Sequence, residues 1–199
     1  MRISEREATD RLNALTGLTR TPARRLLGTN IAGSPTRGPG GQRLYDMAAV
    51  DDLGRRGLPD DAWLAEWLRF GLLHVRLAPS VEWDVGWSAE ETCDRLRGCR
   101  PTGIVRLIQL VGLVRDAGRL PIIATVSGFV VGGADLVDPV IEVDGADRGL
   151  ALTTPGAWYS GLAAARWPSP RGGAPLRWHD PAGWRFAGVA RGDMDHARC

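Results

Sequence analysis

SEREATDRLNALTGLTRTPARRLLG, residues 4–28, encodes two short helices separated by a break, and its punctuation marks where each begins. Ser4 and Glu7 have the spacing of a capping box, in which the Ser4 hydroxyl accepts from the Glu7 amide and the Glu7 carboxylate accepts from the Ser4 amide. Ala8, Leu12 and Leu15 then recur at intervals of four and three, predicting an apolar stripe that faces inward while Arg6, Asp10 and Asn13 stay wet. Gly17 ends that helix. Thr21 before Pro22 predicts the second start, with threonine as the cap and proline at the first helical position, where its missing amide has no intrahelical partner in any case. This helix is expected from Pro22 to about Gly28, with Ala23, Leu26 and Leu27 packed on the first helix. Arg20, Thr21, Arg24 and Arg25 then surround its exposed N-terminal end.

Outward from this pair, residues 32–45 (AGSPTRGPGGQRLY) predict two short strands joined by a glycine-rich tip, which Arg37 and Arg43 flank. Asp46 caps a third helix carrying Met47, Val50 and Leu53, with Arg55 and Arg56 near its C-terminus, where positive charge suits the helix dipole. That helix ends before Pro59. Charge follows the same division: residues 1–56 hold ten arginines against six acidic residues, while the remainder holds 15 arginines against 17 acids. The basic surplus therefore lies where a phosphate backbone would need it.

In this order of elements, Ser4 to Arg56 resembles the winged-helix module shared by MerR-type regulators and phage excisionases. The residues that carry the resemblance are Leu18 to Arg25 for the helix-turn-helix, Arg37 and Arg43 for the wing, and Tyr45-Asp46 leading into the third helix. The resemblance implies contact with double-stranded DNA through Arg20, Thr21, Arg24 and Arg25 in the major groove and Arg37 and Arg43 from the wing. It covers about a quarter of the chain. MerR regulators usually continue into a long dimerisation helix, but Pro59, Gly71 and Pro79 interrupt the chain here, so a homodimer would need another route.

Beyond Pro59 the chain reads as an α+β unit with a mainly antiparallel sheet, giving expected domains at 1–58 and 59–190 and a flexible tail at 191–199. Asp60 predicts a short helix that buries Trp63, Trp67 and Phe70, followed by a strand from Leu72 to Leu77 containing His74. A second capping box at Ser88 and Glu91 opens a helix that stops at Gly98. Ile104, Leu107, Ile108, Val111 and Val114 mark an amphipathic helix closed by Gly118. Strands are expected at 122–131, 140–143 and 150–154, with a turn at Asp144-Gly145. All eight tryptophans lie in this part, which makes them either core volume or an aromatic ligand pocket or interface; Trp63, Trp67, Trp158 and Trp167 are the candidate ligand-binding set for a small-molecule effector.

No enzymatic constellation is expected. His74, His179 and His196 carry no motif tying them to a nucleophile, and Cys93, Cys99 and Cys199 lack the spacing of a zinc site or a disulfide framework, so neither metal nor cofactor is expected. Ser127 to Gly133 lacks the context of a nucleotide loop. No apolar run is long enough to cross a membrane and the N-terminus is charged, so a cytoplasmic protein is expected. The sequence thus reads as a sequence-specific transcriptional regulator with a C-terminal sensing or dimerisation domain. The alternatives are an excisionase-like or architectural DNA-binding factor, and an interaction module or enzyme that carries a winged helix.

Overall fold

The structure is a computed structural model that describes residues 1–97, 104–138, 150–167 and 176–179. It opens with β1 (Arg2–Ser4), α1 (Glu5–Thr16), α2 (Arg20–Gly28), β2 (Thr36–Arg37), β3 (Arg43–Asp46) and α3 (Met47–Arg55). The capping box forms as the sequence predicts: Ser4 Oγ accepts from the Glu7 amide at 3.3 Å, and Glu7 Oε2 accepts from the Ser4 amide at 2.8 Å. Gly17, at φ 74°, closes α1 in the left-handed conformation that glycine adopts without strain. A three-stranded antiparallel sheet of order β1-β3-β2 lies beside the helices, and its first strand was not foreseen.

Two corrections apply here. α2 starts at Arg20 with Thr19 as its N-cap, so Thr21 lies in the first turn and does not cap it. Pro22 is still tolerated, because a residue that close to the helix start has no carbonyl four residues back within the helix to bond. Leu15, expected inward, is 40% exposed. It drapes over Gly54 of α3, where an added Cβ would stand 2.5 Å from Leu15 Cδ1. The inward positions are Ala8 and Leu12, which meet Ala23, Leu26 and Leu27 of α2 and Val50 and Leu53 of α3. Arg11 clamps α1 to α3 through a two-pronged contact with Asp51, both distances being 2.6 Å.

The rest comprises α4 (Asp61–Trp67), β4 (Leu72–Arg76), α5 (Ala89–Arg97), α6 (Ile104–Ala117), β5 (Leu120–Val126), β6 (Phe129–Asp138), β7 (Ala151–Thr153), α7 (Tyr159–Leu162) and β8 (Leu176–His179). Its five strands run in the order β7-β6-β5-β4-β8; β4 and β5 are parallel, joined through α5 and α6, and the other pairings are antiparallel. The chain is therefore a mixed α+β protein. The expected single strand over 122–131 is two strands, because Ser127 (φ 53°) and Gly128 (φ 79°) form a tight turn with Val126 paired to Phe129. The capping box at Ser88 and Glu91 also forms. The expected strand at 140–143, its turn, Gly98, Cys99, Cys199, Trp184, His196 and the tail at 191–199 lie outside the described residues.

Apolar side chains cover both faces of this sheet. On one face Leu73, Val75, Ile122 and Ala124 join the leucines of α1 and α2 in a continuous apolar cluster, so the core does not stop at Leu58. On the other, Leu72, Ile123 and Val130 meet Leu64, Leu68, Trp158, Leu162 and Trp167. The expected apolar face of α4 is corrected: Leu64 and Leu68 are buried, while Trp67 is 46% and Phe70 37% exposed. Two turns of helix leave room for a single inward stripe, and the leucines pack with the large rings of Trp158 and Trp167. On α6 Val114 is buried as expected, and Leu110 with it, whereas Val111 is exposed; the side chains of Ile104, Leu107 and Ile108 lie outside the described residues.

Candidate functional site

The N-terminus of α2 and the adjoining edge of the small sheet form an open groove of about 450 Å³ lined by Ser4, Glu5, Arg6, Thr9, Arg20, Arg24, Gln42 and Arg43. No side chain caps the first turn of α2, so its amides and the positive end of its dipole are open toward an anion. Arg20, Thr21 and Arg24 are exposed beside it. Arg43 reaches the same groove from β3, and in the register of β2 and β3 it stands directly opposite Arg37. Like charges placed opposite one another on a strand pair repel, an arrangement that a bound anion would relieve.

Glu5, which the sequence reading left out of the site, sits among these cations. Its carboxylate lies 2.7 Å from Arg24 Nε and 4.0 Å from Arg43 Nη1. Tyr45 is almost wholly buried, its hydroxyl has no hydrogen-bond partner among the described residues, and burial pushes its pKa up; Arg43, Glu5 and Arg24 all act on it electrostatically. Arg6 and Gln42 also line the groove. Only the spatial approach of β3 to the α1–α2 corner reveals them, since nothing in their local sequence sets them apart.

Arg25 stands elsewhere. Its Nη2 donates to the carbonyls of Leu77, at 3.0 Å, and Ala78, which pins α2 to the segment after β4. Burial lowers its pKa. Further ties seat the same helix on the larger sheet: Ser127 Oγ donates to the Pro22 carbonyl at 3.0 Å, Asn30 Nδ2 to Asp84 at 2.7 Å, and the Val85 amide to the Thr29 carbonyl at 2.9 Å. One flank of α2 is thus occupied by protein and the opposite flank faces solvent.

Of the four tryptophans expected to bind a ligand, Trp158 and Trp167 lie in one buried cluster, Trp63 packs half-buried against it, and Trp67 is exposed. Trp158 is buried and donates to Asp135 at 2.7 Å; Trp167 is 1% exposed. Trp63 packs against Gly161 of α7 and stacks on the exposed Trp67 with centroids 6.3 Å apart. Sequence reasoning also missed an imidazole pair, of which His74 is buried and His179 half-buried. His74 Nε2 lies 2.7 Å from Thr125 Oγ1, and His179 Nε2 lies 3.3 Å from His74 Nδ1 and 3.4 Å from Trp167 Nε1. Burial first, then His179, Arg177 and Arg76, lower His74 to a pKa of about 3; burial and Arg177 lower His179 to about 4. Two neutral imidazoles beside arginines are a poor cation trap, and among the described residues no group of three or more His, Cys, Asp or Glu side chains is arranged to hold a metal. The pairing bridges 105 residues and joins β4 to β8, which no local motif announces.

Among the described residues no helix is long and apolar enough to cross a membrane. The chain matches no family model, no curated protein and no solved structure.

Proposed function

We propose that the chain is a sequence-specific DNA-binding regulator whose first 56 residues act as a winged helix-turn-helix, with α2 in the major groove and the β2–β3 hairpin against the flanking backbone. The observation that carries this reading is the groove at the uncapped start of α2, where Arg6, Arg20, Arg24 and Arg43 converge from three elements. Phosphate contacts from Arg20, Arg43 and Arg37 fix the register of the helix, Thr21 reaches a base edge, and Arg24 bridges a base edge and the phosphate beside Arg43. Arg25 is excluded from the reading surface because two carbonyls already hold it. The C-terminal sheet serves as a rigid seat for α2 and as the part through which an effector or a second copy acts.

The test is selection of bound duplexes from a random-sequence library at physiological salt, followed by titration of the enriched site. An enriched motif that Arg24→Ala abolishes, with affinity falling steeply as salt rises, supports the proposal. No enrichment, or an Arg24→Ala variant that selects the same motif with equal affinity, refutes it.

A further inference from the structure

A second cleft, also of about 450 Å³, lies at the seam between α2 and the segment after β4, lined by Arg25, Gly28, Thr29, Pro79, Val81, Glu82, Trp83, Asp84, Trp87 and Val126. We propose that this cleft binds a small zwitterionic aromatic molecule of the aromatic amino-acid class, with its carboxylate on Arg25, its ring against Trp87 and its ammonium facing Glu82 and Asp84. Its volume falls within the range of small-molecule sites, about 300–1,000 Å³.

Three observations fix the chemistry. Among the described residues only Nη2 of Arg25 is used, and it meets carbonyl oxygens, which carry no net charge. Among the described residues no carboxylate forms an ion pair with this half-buried guanidinium, which leaves Nε and Nη1 as donors for an anion and a charge that needs one. The aromatic wall is held in place. Trp83 donates to the Val131 carbonyl at 3.0 Å, Trp87 leans on it with centroids 5.2 Å apart, and Arg95 backs Trp87 at 4.9 Å. The third observation is acidic: Glu82 is exposed in the lining with no ion-pair partner among the described residues. Asp84, also in the lining, bonds Asn30 and the Gly86 amide.

An anion alone would meet Glu82 and Asp84, and a cation alone would meet Arg25, so a molecule carrying both charges fits best. Arg25 adjoins Arg24 on α2, so occupancy would also bear on the DNA-reading end of the helix; that consequence, unlike the site itself, rests on the proposed function.

The experiment is calorimetric titration of the full chain with L-phenylalanine, phenylacetate and phenethylamine, in the absence of DNA. Phenylalanine should bind saturably and roughly tenfold or more tightly than either single-charge analogue. Glu82→Gln, at an exposed position, should weaken phenylalanine several-fold and leave phenylacetate unchanged or tighter, while Trp87→Ala and Arg25→Met weaken both. No saturable heat with phenylalanine, phenethylamine binding as tightly as phenylalanine, or a Glu82→Gln variant that binds phenylalanine as the parent does would each overturn the proposal. Because DNA is absent, failure here is separable from failure of the DNA-binding reading.

Discussion

Replacing Glu5 by glutamine should strengthen DNA binding. Its carboxylate is the one negative charge lining the α2 groove, 2.7 Å from Arg24 and 4.0 Å from Arg43. A phosphate that engages those two guanidiniums must come within roughly 5 Å of it, and two like unit charges at that separation in a water-like dielectric repel by about 1 kcal/mol. That corresponds to a gain of roughly fivefold in affinity for Glu5→Gln at low ionic strength, shrinking toward physiological salt as the Debye length falls to about 8 Å. Arg24 and Arg43, no longer partly neutralised from within, should also steepen the salt dependence, by up to about 0.9 in the logarithmic slope for one further phosphate neutralised. The assay is fluorescence anisotropy with a labelled duplex over a range of salt, on parent, Glu5→Gln, Arg24→Ala and the double variant. Because Glu5 acts through Arg24, its effect should shrink when Arg24 is absent. Thermal melting controls for the loss of an acidic residue from the first turn of α1, worth a few tenths of a kcal/mol. A Glu5→Gln variant that folds normally and binds no better than the parent would refute the placement of phosphate in this groove.

Two further outcomes test the architecture. Gly132→Ala on β6 would put a Cβ 2.5 Å from the Trp83 ring and 3.2 Å from Thr92 Cγ2. Trp83 is tied to Val131 and cannot retreat freely, so the loss should be about 1–3 kcal/mol in urea unfolding, and an unchanged midpoint would contradict this packing. The imidazole pair should make the fold acid-sensitive. His74 and His179 are depressed to about 3 and about 4, so the unfolded chain takes up protons below about pH 6.5 that the folded chain refuses. Their contribution is complete above that pH and falls by up to about 1.4 kcal/mol per pH unit per histidine as the pH drops toward the folded values. Each neutral ring has one donor and one acceptor nitrogen, so protonation also sets two donors face to face. His179→Phe should flatten the decline between about pH 7 and pH 5; equal slopes in variant and parent would contradict this reading.

At most caps the sequence was sufficient; the misplaced Thr21 cap and the unforeseen turn at Ser127-Gly128 are the exceptions. The boxes at Ser4 and Ser88, the Asp46 and Asp60 caps and the helix end at Gly17 depend on residues within a turn of one another, and each forms as expected. Inward-facing sides were harder. The sequence offered Trp63, Trp67 and Phe70 for α4, yet Leu64 and Leu68 go in, because the opposing surface is set by Trp158 and Trp167 about a hundred residues away. A helical period identifies a stripe but not what stands across from it.

The fate of Arg24 and Arg25 makes the same division at adjacent positions. The sequence determined that both lie on the second helix, near its start, in a basic segment. Only tertiary structure decided that Arg24 faces the groove and Glu5 while Arg25 turns to the carbonyls of Leu77 and Ala78. Successive helical residues point about 100° apart, so a partner more than fifty residues away can claim one and leave its neighbour to solvent. The same long-range assembly brought His74 to His179, and it did so through strand pairing, whose register is set by burial on both faces of the sheet and by no local signal.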